Sequence, residues 1–172
     1  MTRYQLAKIV DWAGTLDTRK RMQKVVYLLQ VAGCPLEAEY ALHHYGPYSQ
    51  EVALLTDAMV QAKILVERAG ANPVGQQFSY QLDEVARVKL ADFESSPRGA
   101  TTCSVLAPFE EQARRLFLVD LKDLEYASTI VFFRERGHDW LEAVEKMCRF
   151  KRLTAGSGVA ERAEVLARQV AG

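Results

Sequence analysis

His43 to Ser49 reads HHYGPYS and gathers two of the three histidines and two tyrosines around a Gly-Pro corner. An adjacent histidine pair is a candidate metal-ligand pair or catalytic base. On an extended segment, however, neighbouring side chains point to opposite faces, and a metal site on a helix needs a spacing such as i, i+4 or a third ligand nearby. His138, the remaining histidine, is far away in sequence. The expectation is one packed and one exposed histidine and no metal site. Tyr45 and Tyr48 have two readings: an aromatic surface that binds a partner, or packing of the corner inward against Tyr27 and the neighbouring hairpin. Inward packing is favoured, because Gly46 suits a backbone corner and Pro47 suits the first turn of a following helix, where its missing N–H costs nothing.

Two basic runs are candidates for binding phosphate or nucleic acid. One is Arg19, Lys20, Arg21 and Lys24 at the start of a helix; the other is Lys146, Arg149, Lys151 and Arg152 near the end of another. The simpler reading of each is a solvated helix face, with the second run also complementing a helix C-terminus. Cys34, Cys103 and Cys148 are odd in number, widely spaced and form no C-x-x-C, so reduced thiols are expected rather than a disulfide framework or zinc site. Cys34 has no neighbouring cation in sequence to favour a thiolate. The acid pairs Asp83-Glu84 and Glu110-Glu111 fall at expected helix starts, where they complement the dipole. The sequence contains no phosphate-loop, dinucleotide-binding, hydrolase-elbow or zinc-protease motif. The expectation is a protein that is not an enzyme and needs no cofactor.

The elements around these residues alternate in period. Leu6, Ile9, Val10 and Ala13 mark a first helix that Gly14 ends. Asp17 or Thr18 caps a second helix with the stripe Met22, Val25, Val26, Leu29 and Ala32, stopped at Gly33. Residues 38–45 form a strand or an extended connector, and a third helix runs from Pro47 to Ala62. KILVE and QFSYQL then read as two strands flanking a turn-rich loop with Gly70, Asn72, Pro73 and Gly75. Phe78, Tyr80 and Leu82 share one face of the second strand. A helix follows at 83–94, and then SSPRGATTCS, the most linker-like segment. The remainder reads as helices only, including a capping pair at Asp139 and Glu142 and a last helix from Ser157.

RMQKVVYLL followed by YGPYSQEVALLTDAMVQAKILVE resembles the YwgA-like bacterial proteins and is similar, more distantly, to the Panacea-type (SocA-like) antitoxin domain. The shared elements are Gln23-Lys24 with Tyr27-Leu28, the run Tyr45-Gly46-Pro47-Tyr48-Ser49, and Met59 through Leu65. Lys63 departs from the pattern, standing where a glycine is usual. The match covers about residues 5 to 90. The resemblance implies a winged-helix-like core and, through the antitoxin analogy, neutralisation or regulation of a protein partner.

Lys and Arg total 22, as do Asp and Glu, so the net charge is zero. Residues 1–95 hold 10 basic and 11 acidic groups and residues 96–172 hold 12 and 11, so neither part is a basic domain. The third helix carries Glu51 and Asp57 and no cation before Lys63, a poor arrangement for phosphate contact. No apolar leader or run of about 18 apolar residues occurs, so a cytoplasmic chain without membrane contact is expected. The expected fold is α+β and mainly helical: a winged-helix-like domain with a β-hairpin at residues 1–95, and a helical extension at 96–172 packed on it, with a soft boundary. The expected function is regulatory, through an unidentified protein partner or self-association as a homodimer. DNA-binding transcriptional regulation is the disfavoured alternative.

Overall fold

Thr2 opens helix α1 (Arg3–Ala13) with a capping box: the Gln5 amide donates to its hydroxyl, and the Thr2 N–H donates to the Gln5 side chain. Gly14, at φ +66°, ends the helix. The computed structural model describes residues 1–72, 75–154 and 156–172. Two extended residues, β1 (Leu16–Asp17), lead to Thr18, whose hydroxyl caps α2 (Arg19–Val31). Further on, α3 (Gln50–Gln61) precedes β4 (Leu65–Asn72) and β5 (Gly75–Leu82). The two long strands pair antiparallel, and β1 adds to β5, giving the order β1-β5-β4. Tyr80 and Leu82 bury on the face expected for them, with Phe78 half-buried beside them.

The chain continues as α4 (Glu84–Ser95), α5 (Pro97–Leu106), a single 3-10 turn (Ala107–Phe109), α6 (Glu110–Leu118), α7 (Leu121–Arg134), α8 (Trp140–Lys151) and α9 (Gly158–Ala171). The architecture is thus α+β and mainly helical, with small antiparallel sheets. Helix α7 is buried along most of its length and packs on α2, α8 and α9. The buried apolar residues form one cluster that draws on α1, α2, α7, α8 and α9 together.

Three elements differ from the sequence expectation. Pro47 lies in a short strand rather than a helical first turn, and α3 starts three residues later, with Ser49 as its N-cap. Proline's fixed φ suits either setting. The linker-like SSPRGATTCS is largely helix α5, because Ser96 caps it and Pro97 occupies its first turn. The expected loop between the two sheet strands is mostly strand, paired up to Asn72 and Gly75; Pro73 and Val74 lie outside the described residues.

Candidate functional site

The corner HHYGPYS is a small hairpin. β2 (Ala41–His43) pairs antiparallel with β3 (Gly46–Tyr48), and His43 opposes Gly46, so His44 and Tyr45 form the two-residue turn. Gly46 follows that turn at φ +88°, a conformation that side-chain-bearing residues resist. It also touches α7: a Cβ built there would lie 2.5 Å from Thr129 Oγ1 and 3.4 Å from the Glu125 carbonyl oxygen.

Helix α2 supplies the rest of the anchorage. Gln23 donates from Nε2 to the Ser49 carbonyl at 2.9 Å, while the Ser49 N–H donates to Gln23 Oε1 at 2.8 Å. The buried amide thus acts as one rung of a β-ladder. Lys24 Nζ donates to the Pro47 carbonyl at 2.6 Å. Tyr27 packs at a tilt against Tyr40, with centroids 4.8 Å apart, and donates its hydroxyl to Glu135. The two sequence motifs, Q-K-x-x-Y-L and Y-G-P-Y-S, therefore touch: the first holds the backbone of the second, whose buried polar groups need partners.

The two basic runs, about 130 residues apart in sequence, partly converge beneath this hairpin. Lys20 Nζ lies 3.0 Å and Lys151 Nζ 2.5 Å from opposite oxygens of Glu125 on α7. Lys151 also donates to the His44 carbonyl at 3.1 Å. Lys24 is 1 % exposed, with Glu125, Lys151 and Lys20 as its charged neighbours. Burial pushes its pKa down to about 7; attraction to Glu125 opposes that shift and the other two lysines add to it. Burial likewise lowers the pKa of Lys151, although its bond to Glu125 raises it.

The remaining cations are placed elsewhere. Arg19 binds Asp57 on α3 at 2.7 Å, Glu67 on β4 at 3.0 Å and the Tyr80 hydroxyl at 2.6 Å. Arg21 donates to the carbonyls of Phe117 and Val119, at the end of α6. Lys146 lies 6.0 Å from the Phe133 ring centroid, and Arg149 is exposed. Arg152 caps α8 in the left-handed conformation, φ +55°, and is exposed beside Lys151.

The hairpin separates two cavities. On one side, His43 and Tyr48 line a space of about 650 Å³ with Glu39, Tyr40 and Glu51. On the other, His44 and Tyr45 line about 500 Å³ with Glu125, Tyr126, Phe150, Lys151 and Arg152. Adjacent histidines do face opposite ways, as an extended segment requires, but both are exposed, so the expectation of one packed histidine is not met. Tyr45 also departs from the expected inward packing. It is 51 % exposed and lies over Lys20 Nζ, 3.9 Å from its ring centroid, while Tyr27 packs with Tyr40 and Phe132 instead. Tyr48 is half-buried, 5.4 Å from the His43 ring. Among the described residues, no three His, Cys, Asp or Glu side chains come together as a metal set. Burial raises the Cys34 thiol to about 11, which disfavours a thiolate.

Glu125 was not visible as a site residue in the sequence: one acid among many in a helix carries no signal until α2 and α8 bring lysines to it. The same holds for Thr129, whose role depends on Gly46 arriving from a segment some 80 residues earlier.

The chain is similar to the uncharacterised protein YwgA of Bacillus subtilis strain 168, at 28% identity over 144 residues, which covers 83% of this chain and 77% of that protein. No family model matches the chain. The similarity agrees with the YwgA-like motifs and extends beyond them into the C-terminal helices. No helix among the described residues is long and apolar enough to cross a membrane.

Proposed function

We propose that this chain is a non-enzymatic regulatory protein of the cytoplasm that acts through protein–protein contacts, with the tip of the β2–β3 hairpin as its contact element. One observation carries the reading: an exposed aromatic side chain, Tyr45, projects from a tip whose base is anchored by buried hydrogen bonds to Gln23 and Lys24. Tyrosine is among the residues that most often dominate interface energies. A turn held in one conformation before binding loses little further freedom on binding. Leu42, His43 and His44, all exposed, extend the surface around it.

The order helix–strand–helix–hairpin–helix–hairpin over residues 3–82, with the three helices followed by the long β4–β5 hairpin, supports a winged-helix-like reading of the 1–95 unit, with 96–172 as its helical extension. In such a unit α3 would be the reading helix. Its surface supports a protein partner over nucleic acid: Leu54 is 58 % exposed, Glu51 and Asp57 are acidic, and the nearby Arg19 is already held by Asp57 and Glu67. A toxin-like partner is the finer form of this proposal and rests on the motif resemblance.

Affinity isolation of the full chain from native lysate, in parallel with Tyr45→Ala, tests the reading. The expected result is one stoichiometric protein retained by the wild type and lost from the variant, or a self-dimer in sizing experiments that the variant abolishes. A monomer that retains nothing, or equal retention by both chains, overturns it.

A further inference from the structure

The cavity on the inner side of the hairpin has an unusual charge balance. Its floor holds one carboxylate, Glu125, approached by the ammonium groups of Lys20 and Lys151 and by the field of buried Lys24. Its rim adds Arg152, which takes part in no ion pair among the described residues. Glu125 is the only acid among the lining residues of this cavity; Glu39 and Glu51 line the space on the other side of the hairpin. Two cations, Lys151 and Arg152, thus line the cavity with one carboxylate, which Lys20 also binds and near which Lys24 is buried.

Helix capping does not account for the two cations from α8. The Arg152 N–H already donates to the Arg149 carbonyl, and the Leu153 N–H donates to that of Cys148. The carbonyls of Cys148 and Arg149 are therefore satisfied by backbone rather than by these side chains. Nor does a solvated face account for Lys151, whose side chain is 7 % exposed. Burying several like charges around one opposite charge is unfavourable, and the downward pKa shifts of Lys24 and Lys151 reflect the burial that accompanies this crowding. An anion in the cavity would relieve it.

We propose that this cavity binds the phosphoryl group of a small molecule, with Lys151 and Arg152 as its direct contacts and Lys20 and Lys24 as supporting charge. A dianion matches the excess of cations better than a single carboxylate does. Arginine and lysine together supply the fork and point-charge geometries suited to phosphate oxygens. His44 lines the wall and can add a ring N–H donor. Tyr45 lines this cavity too, with Lys20 against its ring, so the two proposals share that residue; binding of a small anion is nevertheless measured without any protein partner.

Isothermal titration calorimetry on the full chain at low ionic strength tests this, with sodium phosphate, adenosine monophosphate and sodium acetate as probes. Saturable 1:1 binding of phosphate is expected, with acetate at least about tenfold weaker. Tighter binding of adenosine monophosphate than of phosphate identifies a phosphomonoester as the source; equal affinity identifies free phosphate. Arg152→Gly deletes the guanidinium at a position whose backbone glycine accepts. It is expected to weaken phosphate binding about tenfold or more while leaving thermal stability equal or higher. Glu125→Gln removes the carboxylate that competes for the lysines and is expected to tighten binding. Absence of saturable binding to wild type, acetate binding as tightly as phosphate, or unchanged affinity in Arg152→Gly would each overturn the proposal. A weaker-binding Glu125→Gln that still melts like wild type would do so as well.

Discussion

Replacing Gly46 with alanine should be among the most damaging small changes in this chain, and its cost divides into two separable parts. The left-handed backbone at φ +88° penalises any side chain by about 1–2 kcal/mol. The new Cβ would also meet Thr129 Oγ1 at 2.5 Å, inside contact distance, with helix α7 behind it. Overpacking of that kind costs about 1–3 kcal/mol. Together they give about 2–5 kcal/mol, a large share of the roughly 5–15 kcal/mol that holds a typical domain. Two further variants separate the parts. Gly14→Ala, at φ +66° with no atom within 4 Å of the new Cβ, should cost only the backbone part, about 1–2 kcal/mol. Thr129→Ala removes the colliding oxygen, so Gly46→Ala/Thr129→Ala should lose about 1–3 kcal/mol less than the sum of the single variants. Urea unfolding followed by the fluorescence of Trp12 and Trp140 measures all four proteins. Additivity of the two substitutions within about 0.5 kcal/mol would refute the claim that the corner is wedged against α7.

Two other outcomes follow from single residues. Lys24 titrates at about 7 in the fold against a reference value of 10.5, so between these values the unfolded chain binds more protons and stability rises with pH. The cost is present in full below pH 7; the rise should approach about 1.4 kcal/mol per pH unit between about pH 7 and 9, above which the raised Cys34 thiol opposes it, and Lys24→Met should remove most of the rise, leaving the smaller part due to Lys151. Chemical denaturation across that range checks the slope. Lys63, directly after α3, sits at φ +55°, and Lys63→Gly should raise stability by about 0.5–1 kcal/mol; an equal or lower unfolding midpoint would contradict this.

How much was legible beforehand depends on how far each signal reaches along the chain. Caps carried well: Asp139 with Glu142, Thr18 and Gly14 all act where local chemistry places them, because their partners lie within a few residues. At Lys63, where the resemblance implies a glycine, the backbone is left-handed, which is the conformation that favours one. Pro47 and the Ser96-Pro97 pair misled because proline's φ serves strand, turn and helix start alike, and only tertiary context chooses among them. The inward expectation for Tyr45 rests on Gly46 and Pro47 giving the motif a structural role, which does not fix where the ring points. The inward position is filled by Tyr40, which packs at a tilt against Tyr27. The lysine cluster around Glu125 was least legible, because it joins α2, α7 and α8, whose pairing no local pattern encodes.

The base of the β2–β3 hairpin is fixed to α2 while its tip stands in solvent. Native-state hydrogen exchange of individual backbone amides tests this most directly. The Ser49 N–H, held by Gln23 Oε1 at 2.8 Å in a buried site, should exchange only on a scale approaching global unfolding. The exposed turn at His44 and Tyr45 should exchange far faster, and Gln23→Ala should bring Ser49 toward the turn's rate. A Ser49 amide that exchanges in the wild type as fast as that of Tyr45 would contradict the account.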